Sequence, residues 1–233
     1  MKKEFFKYDV VVIGGGIAGV AASLSARRAG KKVCLIESTF LLGGLATSGL
    51  VTFYLPLCDG QGKQIHHGIS EELLMLSLSK GYEGDYPDAW LHNGSLEEKK
   101  KHRFMVRFNA NQYALMLEEL LLKEGVEILY GTTVYDVEFV NKEIKKVFAT
   151  SRAQKIEIVA GSYVDTTGDA TLFDLCGSKT ELSNHGNVLS NQALICEATS
   201  SGHSVKGQCA QCTIPIVPCG IASTHSFTIF ASV

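Results

Sequence analysis

Tyr8 to Ile13 is an unbroken apolar, largely β-branched run that ends on three consecutive glycines and leads into an Ala-rich segment. No polar residue alternates through its centre, which marks a strand buried on both faces, as in a parallel sheet. Ile17, Val20, Ala21 and Leu24 then recur at helical spacing through Ala29, and Gly30 supplies a stop. Lys32 to Glu37 is a second apolar strand. Two parallel strands this close in sequence need a helical crossover, so residues 8–37 form a βαβ unit.

The connecting turn, Gly14-Gly15-Gly16-Ile17-Ala18-Gly19, fits G-x-G-x-x-G. Its position between a buried strand and a helix, with an acid at the end of the second strand, makes it a dinucleotide-binding turn. Gly14 permits the tight turn, Gly16 lets the backbone approach a pyrophosphate, and Gly19 lets helix and sheet pack closely. The helix N-terminus at Ile17 and Ala18 offers free N–H groups and a partial positive charge to the phosphates. Glu37 is placed to accept from a ribose 2′-OH. A carboxylate there repels a 2′-phosphate, which disfavours NADP.

Beyond Glu37, glycines at 43, 44 and 49 punctuate a loop, and residues 50–108 are irregular apart from a helix at about Ser70 to Ser79. Gly81 to Gly94 has the composition of a surface excursion, and Lys99 to Arg103 that of a solvated basic face. Residues 111–124 predict a helix with Leu115, Leu117, Leu120 and Leu121 on one side, ended by Gly125. Strands at Val126–Tyr130, Thr132–Val140, Val147–Thr150 and Lys155–Val159 make a meander, with Asn141–Lys146 as a polar turn. A short strand at Tyr163–Thr166 runs into Thr167-Gly168-Asp169 and a helical turn at Ala170–Cys176. The expected architecture is α/β: a doubly wound Rossmann-like fold with a β-meander and an inserted, mostly irregular or helical excursion. Residues 1–49 and 109–180 form the nucleotide domain, 50–108 the substrate-side excursion, and 181–233 an atypical tail.

The chain has 233 residues, 45% hydrophobic and 20% charged, which is a globular composition. A net charge of -2 gives no electrostatic reason to expect nucleic acid or an anionic membrane as partner. The opening MKKEFFKYDVVVIGGG is too short in apolar residues and too glycine-rich for a signal peptide or a membrane span, so the cytoplasm is the expected location. Of seven cysteines, Cys34 and Cys176 read as small buried hydrophobes, while Cys196, Cys209, Cys212 and Cys219 crowd the tail. The single C-x2-C there has no second pair or His pair beside it, so no metal site is expected.

An NAD dehydrogenase continues from its second strand into another βα unit; this chain continues with Ser38-Thr39-Phe40-Leu41-Leu42-Gly43-Gly44-Leu45-Ala46-Thr47-Ser48-Gly49. With YDVVVIGGGIAGVAAS, the acid Glu37, GGLATSGLV at 43–51, GVEILYGTTV at 125–134 and VDTTGDATL at 164–172, the chain resembles the FAD-dependent oxidoreductases. Within them it resembles the two-dinucleotide-binding-domain flavoproteins grouped with the FAD-carrying subunit of heterodisulfide reductase. The resemblance covers residues 8 to 180. It implies FAD as cofactor and transfer of hydride or electrons between an unidentified small-molecule or protein donor and acceptor. It also implies that Gly43 to Ser48, with Gly44, Ala46 and Thr47 among them, run past the pyrophosphate and ribityl chain, and that Ser38 joins Glu37 at the cofactor. Val134 would meet the adenine edge, and Thr167, Gly168 and Asp169 would close the second flank. From the residues alone, Val134 reads equally as a core valine and Asp169 as an N-cap.

No catalytic residue stands out. Leu45 to Val51 lacks the cysteine pair of a dithiol mechanism. His66-His67 could attach a flavin, Cys58 could face one, and Arg103 and Arg107 could receive an anionic substrate, but nothing in their neighbours singles them out. The resembled family is tied to iron–sulfur chemistry, yet no ligand array for a 4Fe-4S cluster is present. In that family a later segment returns to the ribityl chain and the substrate. Its lack before Val233 makes the chain read as a C-terminally truncated member. The alternatives to an oxidoreductase are therefore a non-catalytic dinucleotide-binding fragment and an electron-transfer subunit of an iron–sulfur complex.

Overall fold

The computed structural model describes residues 3–152 and 154–178. The tail from 181, with Cys196, Cys209, Cys212 and Cys219, lies outside the described residues. In chain order the elements are β1 (Lys3–Ile13), α1 (Ile17–Arg28), β2 (Val33–Ile36), a 3-10 turn at Gly44–Ala46, β3 (Phe53–Tyr54), α2 (Ile69–Gly81), β4 (Tyr82–Glu83), α3 (Asp88–Leu91), α4 (Leu96–Lys101), β5 (Val106–Phe108), α5 (Ala110–Glu124), β6 (Glu127–Leu129), β7 (Thr132–Val140), β8 (Glu143–Ser151), β9 (Gln154–Asp165) and α6 (Thr171–Leu175).

One sheet has the order β6-β2-β1-β9-β8-β7. Its first four strands are parallel, and β9-β8-β7 form the antiparallel meander. The period of two along a strand explains why β1 and β2 read as continuous apolar runs. Val12, Val33 and Leu35 join one core with Val20 and Leu24 of α1 and Leu117 and Leu121 of α5. Their neighbours Val11, Ile13, Cys34 and Ile36 join a second core with Val134, Val147, Ala149 and Ile158 of the meander. Cys34 is fully buried, and burial is the main cause that pushes its thiol up to about 12.

Several elements depart from their predicted form. β1 starts at Lys3, because its charged first half pairs in parallel with β9 from Lys155 onward. β9 is one strand where two are predicted; Gly161 in its middle keeps the chain extended past the Asp9 carbonyl, 3.2 Å from where a Cβ would stand. The predicted polar turn at 141–146 shrinks to Asn141 and Lys142, both with positive φ, as a two-residue hairpin of strongly twisted strands requires. On α5, Leu117 and Leu121 are buried, but Leu115 is 56% exposed. It stands two residues from Leu117, about 200° around the helix, so the two cannot share a face.

Residues 50–108 hold, beside the predicted helix, a three-stranded antiparallel sheet of order β3-β5-β4. Strands of two or three residues carry too little alternation to be read from sequence. The segment leaves and rejoins the larger sheet's layer at one place, where Phe108 N–H donates to the Thr52 carbonyl (3.2 Å). α2 lies on α5, and its Leu73 belongs to the core that holds Val20 and Leu117.

Arg28, at the end of α1, binds Glu72 of α2 through two hydrogen bonds (2.6 and 2.7 Å) and Glu124 of α5 at 2.7 Å. The guanidinium holds the Glu72 carboxyl below its ordinary 4.5. The linked stability is therefore fully present above that value and is lost as the pH falls through the lowered one. These groups are more than a third exposed on the Arg28–Glu72 side, so the effect is small, roughly 0.2–1 kcal/mol per pair. Arg28→Ala is expected to flatten the acid limb of a urea-midpoint-against-pH curve and to leave the neutral region lowered by about that amount.

Candidate functional site

The carboxyl ends of β1, β2 and β9 open on a cavity of about 630 Å³. Three loops and the start of β7 wall it, and each is shaped by a specific local device.

The first loop is the glycine turn. Gly14 has φ +104°, and a Cβ there would lie 2.5 Å from the Thr166 carbonyl oxygen, so no other residue fits. Gly16 is the N-cap of α1 and bonds no first-turn amide by a side chain. The first-turn N–H groups, which have no intrahelical partner, are left for a ligand. A Cβ on Gly16 would meet nothing within 4 Å, so the space over it is cavity. Gly19 does not line the cavity. Its Cβ would overlap the Gly14 carbonyl oxygen and stand 2.9 Å from Thr166 Oγ1, which gives it the helix-packing role expected from the spacing.

The second loop follows β2. Gly43 and Gly44 both have positive φ, and Gly43 N–H donates to the Gly15 carbonyl (2.8 Å), so the two glycine-rich strips run side by side. A Cβ on Gly44 would come 3.1 Å from the Gly16 Cα. Ala46 and Ser38 line the same cavity. Thr47 does not: it is buried, and its Oγ1 donates to the Leu42 carbonyl (2.5 Å), holding the loop's shape from behind.

The third loop leaves β9. Thr166 Oγ1 lies 2.8 Å from the Ile13 carbonyl and 2.7 Å from the Gly14 carbonyl, clamping the end of β1. Asp165 is buried; its Oδ1 accepts from Thr167 N–H (3.0 Å) and Oγ1 (2.8 Å), and its Oδ2 from Leu172 N–H (2.8 Å). These bonds, with Thr171 N–H donating to Thr167 Oγ1 (3.0 Å), cap α6. Asp169 is thus not the N-cap; Ala170 holds that place with φ 54°. Asp169 is exposed and lines the cavity beside Gly168. Val134 is both a cavity wall and a member of the second core, so its two readings are compatible.

Glu37 is 8% exposed and already engaged. Its Oε2 accepts from Gly15 N–H and its Oε1 from Thr39 N–H, each at 2.6 Å. The carboxylate therefore ties the glycine turn to the loop after β2; Oε1 also accepts from Ser38 Oγ (3.3 Å), so Oε2 is the oxygen that keeps a lone pair for a ligand hydroxyl. It also explains Gly15, whose Cβ would stand 2.8 Å from Glu37 Oε2 and from Leu42 Cδ2.

The lining contains no Lys, Arg or His. A bound diphosphate would meet backbone amides and the α1 N-terminus rather than side-chain cations, a helix-end contribution of about 0.3–2 kcal/mol. Thr167 was expected at the flank from the sequence and lines the cavity; Gly15, Asp165, Thr132, Thr133 and Thr166 were not singled out. Asp165 carried a local signal, since Asp followed two residues on by a bonded N–H is an Asx turn; the Thr166 clamp spans 152 residues and left none.

The other candidates lie elsewhere. Cys58 is buried among Leu74, Leu78 and Phe104, its sulfur accepting from Phe104 N–H (3.4 Å), and it does not line the cavity. Nor do His66 and His67; the latter is exposed and pairs with Glu71 at 3.4 Å. Arg103 and Arg107 share a second cavity on the excursion. Among the described residues no group of three or more His, Cys, Asp or Glu is placed to hold a metal ion, and no helix is long and apolar enough to cross a membrane.

Fold and cavity together define a dinucleotide-binding α/β protein of the doubly wound type. The model of the FAD dependent oxidoreductase family matches residues 9–214, and the chain belongs to that family, whose cofactor is FAD. The match continues past residue 180, where the resemblance read from sequence stops. The chain is 30% identical over 137 residues to a thioredoxin reductase of Ureaplasma parvum, covering 59% of this chain and 41% of that protein. It is 33% identical over 127 residues to a glutathione reductase of Debaryomyces hansenii, covering 54% and 24%. The fold is shared with a geranylgeranyl bacteriochlorophyll reductase-like protein of Thermoplasma acidophilum: TM-score 0.50, 17% identity, 75% of this chain and 43% of that one. The matches span less than half the length of these relatives.

Proposed function

We propose that this chain holds FAD in the 630 Å³ cavity and uses it as an oxidoreductase, moving hydride or electrons between a donor and an acceptor. The observation that carries this is the pair of glycine strips, Gly14–Gly16 and Gly43–Gly44, hydrogen-bonded side by side over the unclaimed first turn of α1. That arrangement fits a diphosphate: backbone is the only wall there, and a side chain at Gly16 would fill the space.

Gly14, Gly16, Ile17 and Ala18 would face the diphosphate, and Gly43, Gly44 and Ala46 would follow it on the other side. Glu37 and Ser38 would bind the adenosine ribose, with Val134 beside the adenine. Gly168 and Asp169 would close the flank toward α6. Gly19 and Thr47 would act one layer back, by setting the helix and the loop. The flavin supplies the redox chemistry when bound; the protein's part is to bind, orient and exclude water.

Purified protein is expected to be yellow and to retain near-stoichiometric FAD through gel filtration. Its flavin absorbance should bleach when a reductant substrate is added anaerobically. Colourless protein that binds NADH tightly and takes up no added FAD would overturn the reading.

A further inference from the structure

The second cavity, about 390 Å³, lies on the excursion's own sheet and belongs to no part of the dinucleotide site. Its floor is a cross-strand row: Phe53 of β3 and Glu83 of β4 both face Arg107 of β5 in register, which puts the three side chains on one face. Val106 and Phe108 point the other way and are buried, so Arg107 is the residue that β5 presents outward. One wall is Asp85-Tyr86-Pro87, and the other runs from Lys101 to Arg103 at the end of α4.

Among the described residues no carboxylate comes within ion-pairing distance of Lys101, Arg103 or Arg107, although Glu83 and Asp85 line the same cavity. Glu83 instead accepts from Asn109 Nδ2 (3.2 Å). We propose that this cavity binds a small monocarboxylic acid, its carboxylate on the guanidinium groups of Arg103 and Arg107 and its apolar body against Phe53 and Tyr86.

Three lining side chains are cationic at neutral pH (Lys101, Arg103, Arg107) and two are anionic (Glu83, Asp85). One ligand charge balances that set, whereas a phosphate dianion would face the two carboxylates with a charge to spare. A planar guanidinium matches a planar carboxylate with two parallel N–H donors. The volume falls in the range of small-molecule sites.

The protein carries its own reporter. Trp90 is the single tryptophan of the chain, its ring stacks on Phe104 at 5.3 Å, and its Nε1–H donates to the carbonyl of His102 (2.6 Å), which is part of the cavity wall. Benzoate titrated into the full chain, at constant ionic strength and with excitation at the red edge of the indole band, should change Trp90 fluorescence saturably. Arg107→Gln and Arg103→Gln should each weaken the titration about tenfold, the factor for losing one charged hydrogen bond. Both side chains are exposed, so the urea midpoint should stay at the wild-type value.

A flat titration of wild-type protein would overturn the proposal, as would a titration unchanged in the double variant. Inorganic phosphate displacing benzoate at lower concentration than acetate does would overturn the choice of a carboxylate. Should the Arg107 variant unfold, Arg103→Gln, outside any strand or helix, decides alone. The readout does not pass through the flavin, so its failure is separate from failure of the FAD reading.

Discussion

Gly19→Ala is expected to lower stability by about 3 kcal/mol and to abolish flavin retention. The added methyl would overlap the Gly14 carbonyl oxygen and press on Thr166 Oγ1, the hydroxyl that clamps the carbonyls of Ile13 and Gly14. The worst of these contacts is with backbone at the tightest turn of the fold and has no rotamer to escape into. α1 must lift off the sheet, and its first-turn amides move with it. Gly16→Ala supplies the contrast. Its methyl meets nothing within 4 Å, and the residue's φ of −64° suits alanine, so stability should change by less than about 1 kcal/mol. The same methyl stands in the cavity, so flavin should still be lost. Urea unfolding and flavin content measured on both variants separate packing from binding. A Gly19→Ala protein as stable as wild type would refute this account of the helix contact.

Asp165→Ala should cost about 3 kcal/mol, because it leaves the N–H groups of Thr167 and Leu172 without their acceptor inside the fold. The loss should extend beyond stability. Thr167 Oγ1 is held by Asp165 and itself accepts from Thr171 N–H, so the whole turn from β9 into α6 rests on one carboxylate. Thr166 lies within that turn, and its clamp on the glycine loop should loosen as well. Asp165→Asn keeps one oxygen acceptor and should lose roughly half as much. Equal urea midpoints for wild type and Asp165→Ala would show that the turn holds itself.

The nucleotide turn was legible because everything that defines it is local: a buried strand, glycines at fixed offsets, a helix and an acid lie within thirty residues. The parts that failed depend on partners far away in sequence. Glu143 to Lys146 read as a turn because charge is the usual mark of one. In the structure Lys146 pairs with Glu138 across the hairpin at 3.0 Å and lies over the Phe148 ring, so a charged strand is stabilised by its neighbours. Lys3 to Lys7 became strand for the same reason, through β9. At the site, the place of Glu37 at the end of β2 was legible from the sequence, and its engagement with Gly15, Ser38 and Thr39 only from the structure. Asp169 was drawn toward an N-cap role by its place before a helix, and Asp165, four residues earlier, performs that work.

The excursion enters and leaves beside a single hydrogen bond, between Thr52 and Phe108, which is how a transplantable cassette looks. It is only half of one. Leu73 is sealed into the same core as Val20 and Leu117, and Arg28 ties α2 to α1 and α5. Excising 50–108 would strip the nucleotide half of part of its interior. The region from Tyr82 to Arg107 places no residue in that core; its buried Phe104 and Val106 pack in a separate small one against Leu57, Leu74 and Leu78. A graft that keeps α2 and exchanges only residues 82–107 would carry a new ligand pocket onto an undisturbed dinucleotide frame.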